Sequence, residues 1–209
     1  MNENRFVCLN VKGDFACFTR PEYKVERLSY PVITATAALG IIESVYWHPQ
    51  ISYKITRIEV LNEIKYQSFA MNELSKIRYA KTPIEYVRST RSNQVLLDVS
   101  YNIYADIIPQ PGYGIETCNK TLHIFNKKLR TGNYYSNPFL GMSNFKAYLS
   151  NISSKDIHPS LDCLIDLGLV LSGFDREKIA QKDDTCYYEH IPIFSHLSMD
   201  KGVINFNVS

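Results

Sequence analysis

The chain has 209 residues, 45% hydrophobic and 21% charged, with a formal net charge of +2. That describes an ordinary globular chain with material for a sizeable core, and the charge is too small to name a partner. Five scattered cysteines (Cys8, Cys17, Cys118, Cys163 and Cys186) include no Cys-x-x-Cys pair, which argues for reduced thiols and against a disulfide framework.

The amino terminus carries no signal-peptide apolar region, and no apolar run approaches the ~18–20 residues that span a bilayer. A cytoplasmic protein with no membrane partner is expected. Val7, Leu9 and Val11 alternate with Cys8, Asn10 and Lys12, the pattern of a half-buried strand ending at Gly13-Asp14. A charged connector containing Lys24 and Arg27 turns through Pro31 into a helix opening near Thr34, whose hydroxyl suits an N-cap. His48-Pro49 closes that helix, because the residue before proline disfavours the α region. At about 100° per residue, Ala38, Ile41, Ile42 and Val45 make one apolar stripe, with Tyr46 about 90° from its centre and therefore half buried.

Ile51, Tyr53 and Ile55 alternate, slip at Thr56-Arg57 and resume at Ile58 and Val60, which predicts a strand with a bulge. Residues 63–93 have weak periodicity and read as a long excursion with one short helix. From Val95 to Ile107 every odd position is apolar, the clearest strand in the chain, and Pro109, Pro111, Gly112 and Gly114 break it. A second helix is expected over 119–130, stopping at Gly132 as a left-handed cap. Leu122, Phe125 and Leu129 form its buried stripe; Lys120, His123, Lys127 and Arg130 fall within an arc of about 80° on the far side. Residues 145–149 supply another strand.

The order β-α-β-β-α-β is that of a ferredoxin-like, or RNA-recognition-motif-like, α+β domain, assigned here to residues 1–155. Over 156–209, segments 164–171, 187–194 and 203–208 read as a small C-terminal antiparallel β-sheet domain. The last two are parted by a turn at 199–202.

Metal ligation has a weak basis, since Cys186, His190 and His196 give three irregularly spaced ligands and no fourth. The chain has no Gly-x-Ser-x-Gly, no phosphate-binding Gly-x-x-x-x-Gly-Lys-Ser/Thr and no Gly-x-Gly-x-x-Gly after a strand. The paired carboxylates Asp183-Asp184 fall in a surface turn. Neither a metal nor another cofactor is therefore expected. The basic face of the second helix points elsewhere: clustered cations neutralise phosphates and release counterions, and tyrosines, 15 in all, can stack on unpaired bases where exposed. A solvated helix face that keeps the protein soluble is the plainer alternative.

The stretch from Lys12-Gly-Asp-Phe through Tyr30-Pro-Val32, followed by Ala37-Ala-Leu-Gly-Ile-Ile-Glu-Ser-Val-Tyr-Trp47, resembles the Cas-five family of CRISPR-associated proteins, of the type I-C subtype. Leu97-Asp-Val-Ser-Tyr-Asn-Ile103, Gly132-x5-Pro138-x-Leu140-Gly141-x3-Phe145, Leu167-Gly-Leu-Val-Leu171, and Pro192-Ile-Phe194 with Lys201-Gly-Val-Ile204 carry the resemblance over nearly the whole chain. It implies an endoribonuclease that cuts precursor CRISPR RNA within each repeat, without a metal, and keeps the 5′ handle in the Cascade complex. CRISPR repeat RNA or crRNA and the other Cascade subunits are then its partners, and DNA is a further contact. The family's tyrosine, lysine and histidine suggest Tyr46, Lys120 and His123 as catalytic residues, with Lys24, Arg27, Lys127, Lys128 and Arg130 binding the RNA. The family's adjacent Lys-His reads Lys120-Thr121 here, and His123 lies about 200° around a helix from Thr121. Likewise, Gly-x-Arg-Glu-Phe becomes Gly141-Met-Ser-Asn-Phe145. A non-cleaving subunit that binds the 5′ handle of crRNA is the alternative.

Overall fold

A computed structural model describes residues 5–23, 26–77, 85–153, 163–182 and 185–206. Its centre is the pairing of β1 (Phe6–Ala16) with β5 (Glu85–Pro109), antiparallel, with Val7, Leu9 and Val11 opposite Ala105, Ile103 and Tyr101. All six side chains are buried. Burying each valine, leucine or isoleucine among them stabilises the fold by about 1.5–3 kcal/mol, so this register resists slipping. β3 (Ile51–Val60) lies on the other side of β5, and β6 (Tyr148–Ser150) beside β1, giving the order β6-β1-β5-β3. The expected bulge is present: register shifts between Ile55 and Arg57.

Helices α1 (Ala35–Val45) and α2 (Ile115–Thr131) supply Ala38, Ile41, Ile42 and Val45, and Cys118, Phe125 and Leu129, to the same buried cluster. Thr34 caps α1 as expected, its hydroxyl accepting the Ala37 N–H at 3.2 Å. Gly132 ends α2 in the left-handed region at φ 70°, a conformation that costs an L side chain but not glycine. No helix among the described residues is long and apolar enough to cross a membrane.

On the opposite face of the sheet, a polar row crosses three strands. Asn10 Nδ2 donates to Asn102 Oδ1 at 2.9 Å, and Asn102 Nδ2 donates to Glu59 Oε2 at 2.8 Å. The Tyr104 hydroxyl and Arg57 also hold Glu59, and burial with the Glu59 charge pushes the Tyr104 phenol up to about 12. A buried carboxyl group is tolerated there because its oxygens have donors.

Several expectations need correcting. Residues 63–93 form no helix among the described residues; β4 (Lys65–Ile77) pairs antiparallel with the outer half of β5 as a long hairpin. Tyr66, Asn72, Arg88 and Thr90 on it are exposed, so no buried face imposed the alternation that marks a strand in sequence. β2 (Arg27–Leu28) pairs parallel with β5. α1 stops at Val45, three residues before His48, and α2 starts at Ile115, four residues before 119. The strand expected at 145–149 is β6, which begins at Tyr148. At the C-terminus, β7 (Leu164–Lys182) and β8 (Thr185–Asp200) make a hairpin longer than expected, and β9 (Val203–Asn205) follows the expected turn. These strands join the main sheet through β9 on β3, extending its path to β3-β9-β8-β7. The boundary between 1–155 and 156–209 lies outside the described residues, as do Lys24 and the Asp183-Asp184 turn.

Candidate nucleic-acid interface

Tyr46 is the C-cap of α1, in extended backbone at φ −154° and ψ 123°. Its placement by helical rotation therefore does not hold, although the ring is half buried and packs against the core. The Tyr46 carbonyl accepts the Tyr53 hydroxyl at 3.0 Å, and the Tyr53 ring meets Phe125 of α2 at 6.3 Å between centroids. Burial, with the nearby Tyr46 and Glu43, pushes the Tyr53 phenol far up, so it stays protonated and donates. Tyr46 is thus pinned to β3 by a buried tyrosine that itself touches α2.

Sequence reasoning gives His48 only the closing of the helix, and no place in the site. The His48 ring, two residues past Tyr46, lies within 16° of parallel to it, 6.3 Å away. Its Nδ1 accepts the Gln50 N–H at 3.4 Å, which orients the imidazole. Only the i, i+2 spacing from Tyr46 could have signalled this, and only with the helix end known.

Lys120, His123, Lys127 and Arg130 are all exposed on the solvent side of α2, as the rotation predicts. Among the described residues no carboxylate pairs with them. Lys128 is half buried, and its ammonium donates to the Asn133 carbonyl at 3.0 Å. Thr121, where the resemblance expects histidine, is 3% exposed and lies on the buried stripe with Cys118 and Phe125. Leu122, expected in that stripe, is only half buried. Arg27 is half buried in β2, its backbone N–H donating to Asn93 Oδ1 at 3.3 Å. No hydrogen bond among the described residues links the side chains of Tyr46, Lys120 and His123. Of the metal-ligand candidates, His196 pairs with Asp166 at 3.3 Å, and the side chains of Cys186 and His190 lie outside the described residues.

Just beyond α2, the Tyr135 N–H donates to the Val45 carbonyl at 3.3 Å and the Ser136 N–H to the Ser44 carbonyl at 3.0 Å. The loop after α2 thereby satisfies carbonyls that the end of α1 leaves without helical partners. Farther along, Gly141 at φ 81° packs so close to the Cys17 carbonyl that a Cβ there would overlap it, and Cys17 N–H donates to the Leu140 carbonyl at 3.1 Å. This loop is tied to α1 at one end and to the end of β1 at the other.

The family model described as CRISPR-associated protein (Cas_Cas5) matches residues 6–206. A protein of Thermus thermophilus called "CRISPR pre-crRNA endoribonuclease Cas5d" is 39% identical over 68% of this chain, a match spanning 62% of that relative's length. The protein of the same name from Mannheimia succiniciproducens is 34% identical over 94% of this chain and 92% of its own. A solved structure described as that of a CRISPR-associated protein shares the fold at a TM-score of 0.68, with 22% identity, over 98% of this chain and 93% of the other. The chain belongs to the Cas5 family of CRISPR-associated proteins.

Proposed function

We propose that this chain is an endoribonuclease that cleaves precursor CRISPR RNA within its repeat and keeps the 5′ handle as a Cascade subunit in the cytoplasm. The observation that carries the reading is a half-buried tyrosine, pinned beside a helix whose solvent face holds exposed cations, in a chain resembling two proteins named for this activity. In this reading the core is ferredoxin-like, residues 1–155 hold the RNA, and 156–209 form the smaller unit.

The chemistry is attack by an RNA 2′-hydroxyl on the adjacent phosphate. The O2′–P bond forms as P–O5′ breaks; one proton leaves the 2′-hydroxyl and one reaches the departing 5′-oxygen. Tyr46 orients the reacting groups, Lys120 stabilises charge on the phosphorane and His123 transfers a proton. His48 positions Tyr46 by stacking on it. Lys24, Arg27, Lys127, Lys128 and Arg130 hold the repeat. The step requires no metal ion in principle.

A second reading, a non-cleaving subunit that caps the handle, is favoured by one observation: Thr121 is buried and carries no imidazole. Incubation with the cognate repeat RNA in EDTA separates the two. The nuclease reading expects a 2′,3′-cyclic phosphate and a 5′-hydroxyl, and no product from RNA with a single 2′-deoxy substitution at the cut. Intact all-ribose RNA in EDTA, cut only when a divalent ion is restored, removes the metal-free mechanism. Intact RNA under both conditions leaves the structural role.

A further inference from the structure

Trp47 and Tyr135 are two large aromatic side chains that folding leaves in water, 44% and 64% exposed. Their rings lie 6.2 Å apart between centroids at 41°. They come from distant parts of the chain and meet because the loop after α2 hydrogen-bonds to the end of α1 through Tyr135 and Ser136. Trp47 directly follows Tyr46, past the end of α1, and stays exposed where Tyr46 is half buried. Two aromatic rings held side by side on hydrogen-bonded backbone form a preorganised surface, which binds flat aromatic groups at little entropic cost.

The surroundings say which flat groups. Tyr135 follows the C-terminus of α2 by four residues. The Lys128 ammonium rests on the Asn133 carbonyl, two residues from Tyr135, and the exposed Lys127 and Arg130 stand on the last turns of the same helix. An aromatic pair beside a cluster of cations suits a ligand that alternates π faces with negative charges, which is a single strand of nucleic acid. A paired duplex hides its base faces and would meet only the cations.

We propose that Trp47 and Tyr135 form a stacking platform for unpaired nucleobases of the bound RNA, with the end of α2 taking the phosphates. This rests on the reading of the chain as an RNA-binding protein but does not require that it cleave. The platform selects for unpaired bases without reading their identity, since every base has a π face.

Trp47 is the single tryptophan of the chain, so its emission reports on this site alone. The test uses the full chain with a fluorescein-labelled, unstructured octaribonucleotide, and the same backbone with its central bases replaced by abasic sites. Anisotropy reads binding and Trp47 emission reads stacking. Base-bearing RNA is expected to quench Trp47, and abasic RNA to bind more weakly without quenching. Tyr135→Ala, at an exposed position that the fold does not need, should weaken binding of the base-bearing RNA about tenfold and leave the abasic RNA unaffected. Tyr135→Phe, which keeps a ring, should retain most of the affinity. If base-bearing RNA binds with Trp47 emission unchanged, or Tyr135→Ala weakens both RNAs equally, the platform is wrong while RNA binding stands; the rings would then be free for a protein partner. If the octamer does not bind while the cognate repeat RNA does, the platform alone falls; if neither binds, both readings fall.

Discussion

Glu43, on the last turn of α1, carries a half-buried carboxyl that burial pushes above its ordinary pKa of 4.5. A folded-state pKa raised above the unfolded value means that ionisation costs the native state stability once pH rises through the folded pKa. Glu43→Gln should therefore raise the melting temperature at pH 7. The gain should shrink as pH falls through the raised value and vanish below about 4.5; a gain that is constant with pH would mean that packing, not charge, sets the effect. His48 makes a separate prediction. In the proposed nuclease, where the His48 ring orients Tyr46, His48→Ala should slow repeat cleavage by about 10²-fold, the cost of a reacting group displaced by about an ångström. His48→Phe, which can still stack, should restore most of the rate. Equal loss in both variants would assign His48 a role other than positioning.

α2 was legible as an element because two patterns coincide on it: apolar residues at helical spacing on one side and cations on the other. The structure keeps both, with Phe125 and Leu129 inside and Lys120, His123, Lys127 and Arg130 outside. In the proposed reading such a face acts through phosphate charge, so its contribution must depend on salt. Replacing Lys120, Lys127 and Arg130 together by Gln should lower the slope of log affinity against log salt by about 2, since each phosphate of a single strand left without its cation takes about 0.7 from the slope. Anisotropy titrations from low to high KCl measure it; an unchanged slope would mean the RNA lies elsewhere. α1 was legible only in part. Its cap and stripe follow from Thr34 and the apolar spacing, but nothing local says that the helix stops at Val45 and not at His48. That end is stabilised by groups outside the helix: Tyr53 of the next strand on the Tyr46 carbonyl and, far away in sequence, the Tyr135 and Ser136 amides on the carbonyls of Val45 and Ser44.

At the scale of the molecule, the C-terminal hairpin and the main sheet are joined by a short strand. β9 pairs with β3 through Asn205, Ile204 and Val203 opposite Arg57, Ile58 and Glu59, and Ile204 and Ile58 are buried in the shared cluster. Ile204→Ala leaves a cavity at that junction and should lower stability by about 2–5 kcal/mol. In a chain of this length each kcal/mol moves the melting temperature by about 2–4 °C. A single calorimetric transition displaced as a whole is expected if the strands melt together; a split transition would show that the hairpin unfolds by itself.

The sequence by itself determined the elements whose faces differ in polarity. Alternation marked β1 and β5, the slip at Thr56-Arg57 marked the bulge, and helical spacing marked α2, because burial on one side leaves a period in the residues. It also carried the family resemblance, along with the departure at Thr121. The β4–β5 hairpin left no such period, since the residues described on its outer part are exposed and nothing demands that apolar side chains alternate there. Only the tertiary structure decided where α1 ends, that His48 stacks on Tyr46, that Thr121 faces inward and that Trp47 meets Tyr135. The His48 stack, only two residues long in sequence, waits on the end of α1; the others depend on hydrogen bonds or packing between segments far apart in sequence, and local propensity records no such distances.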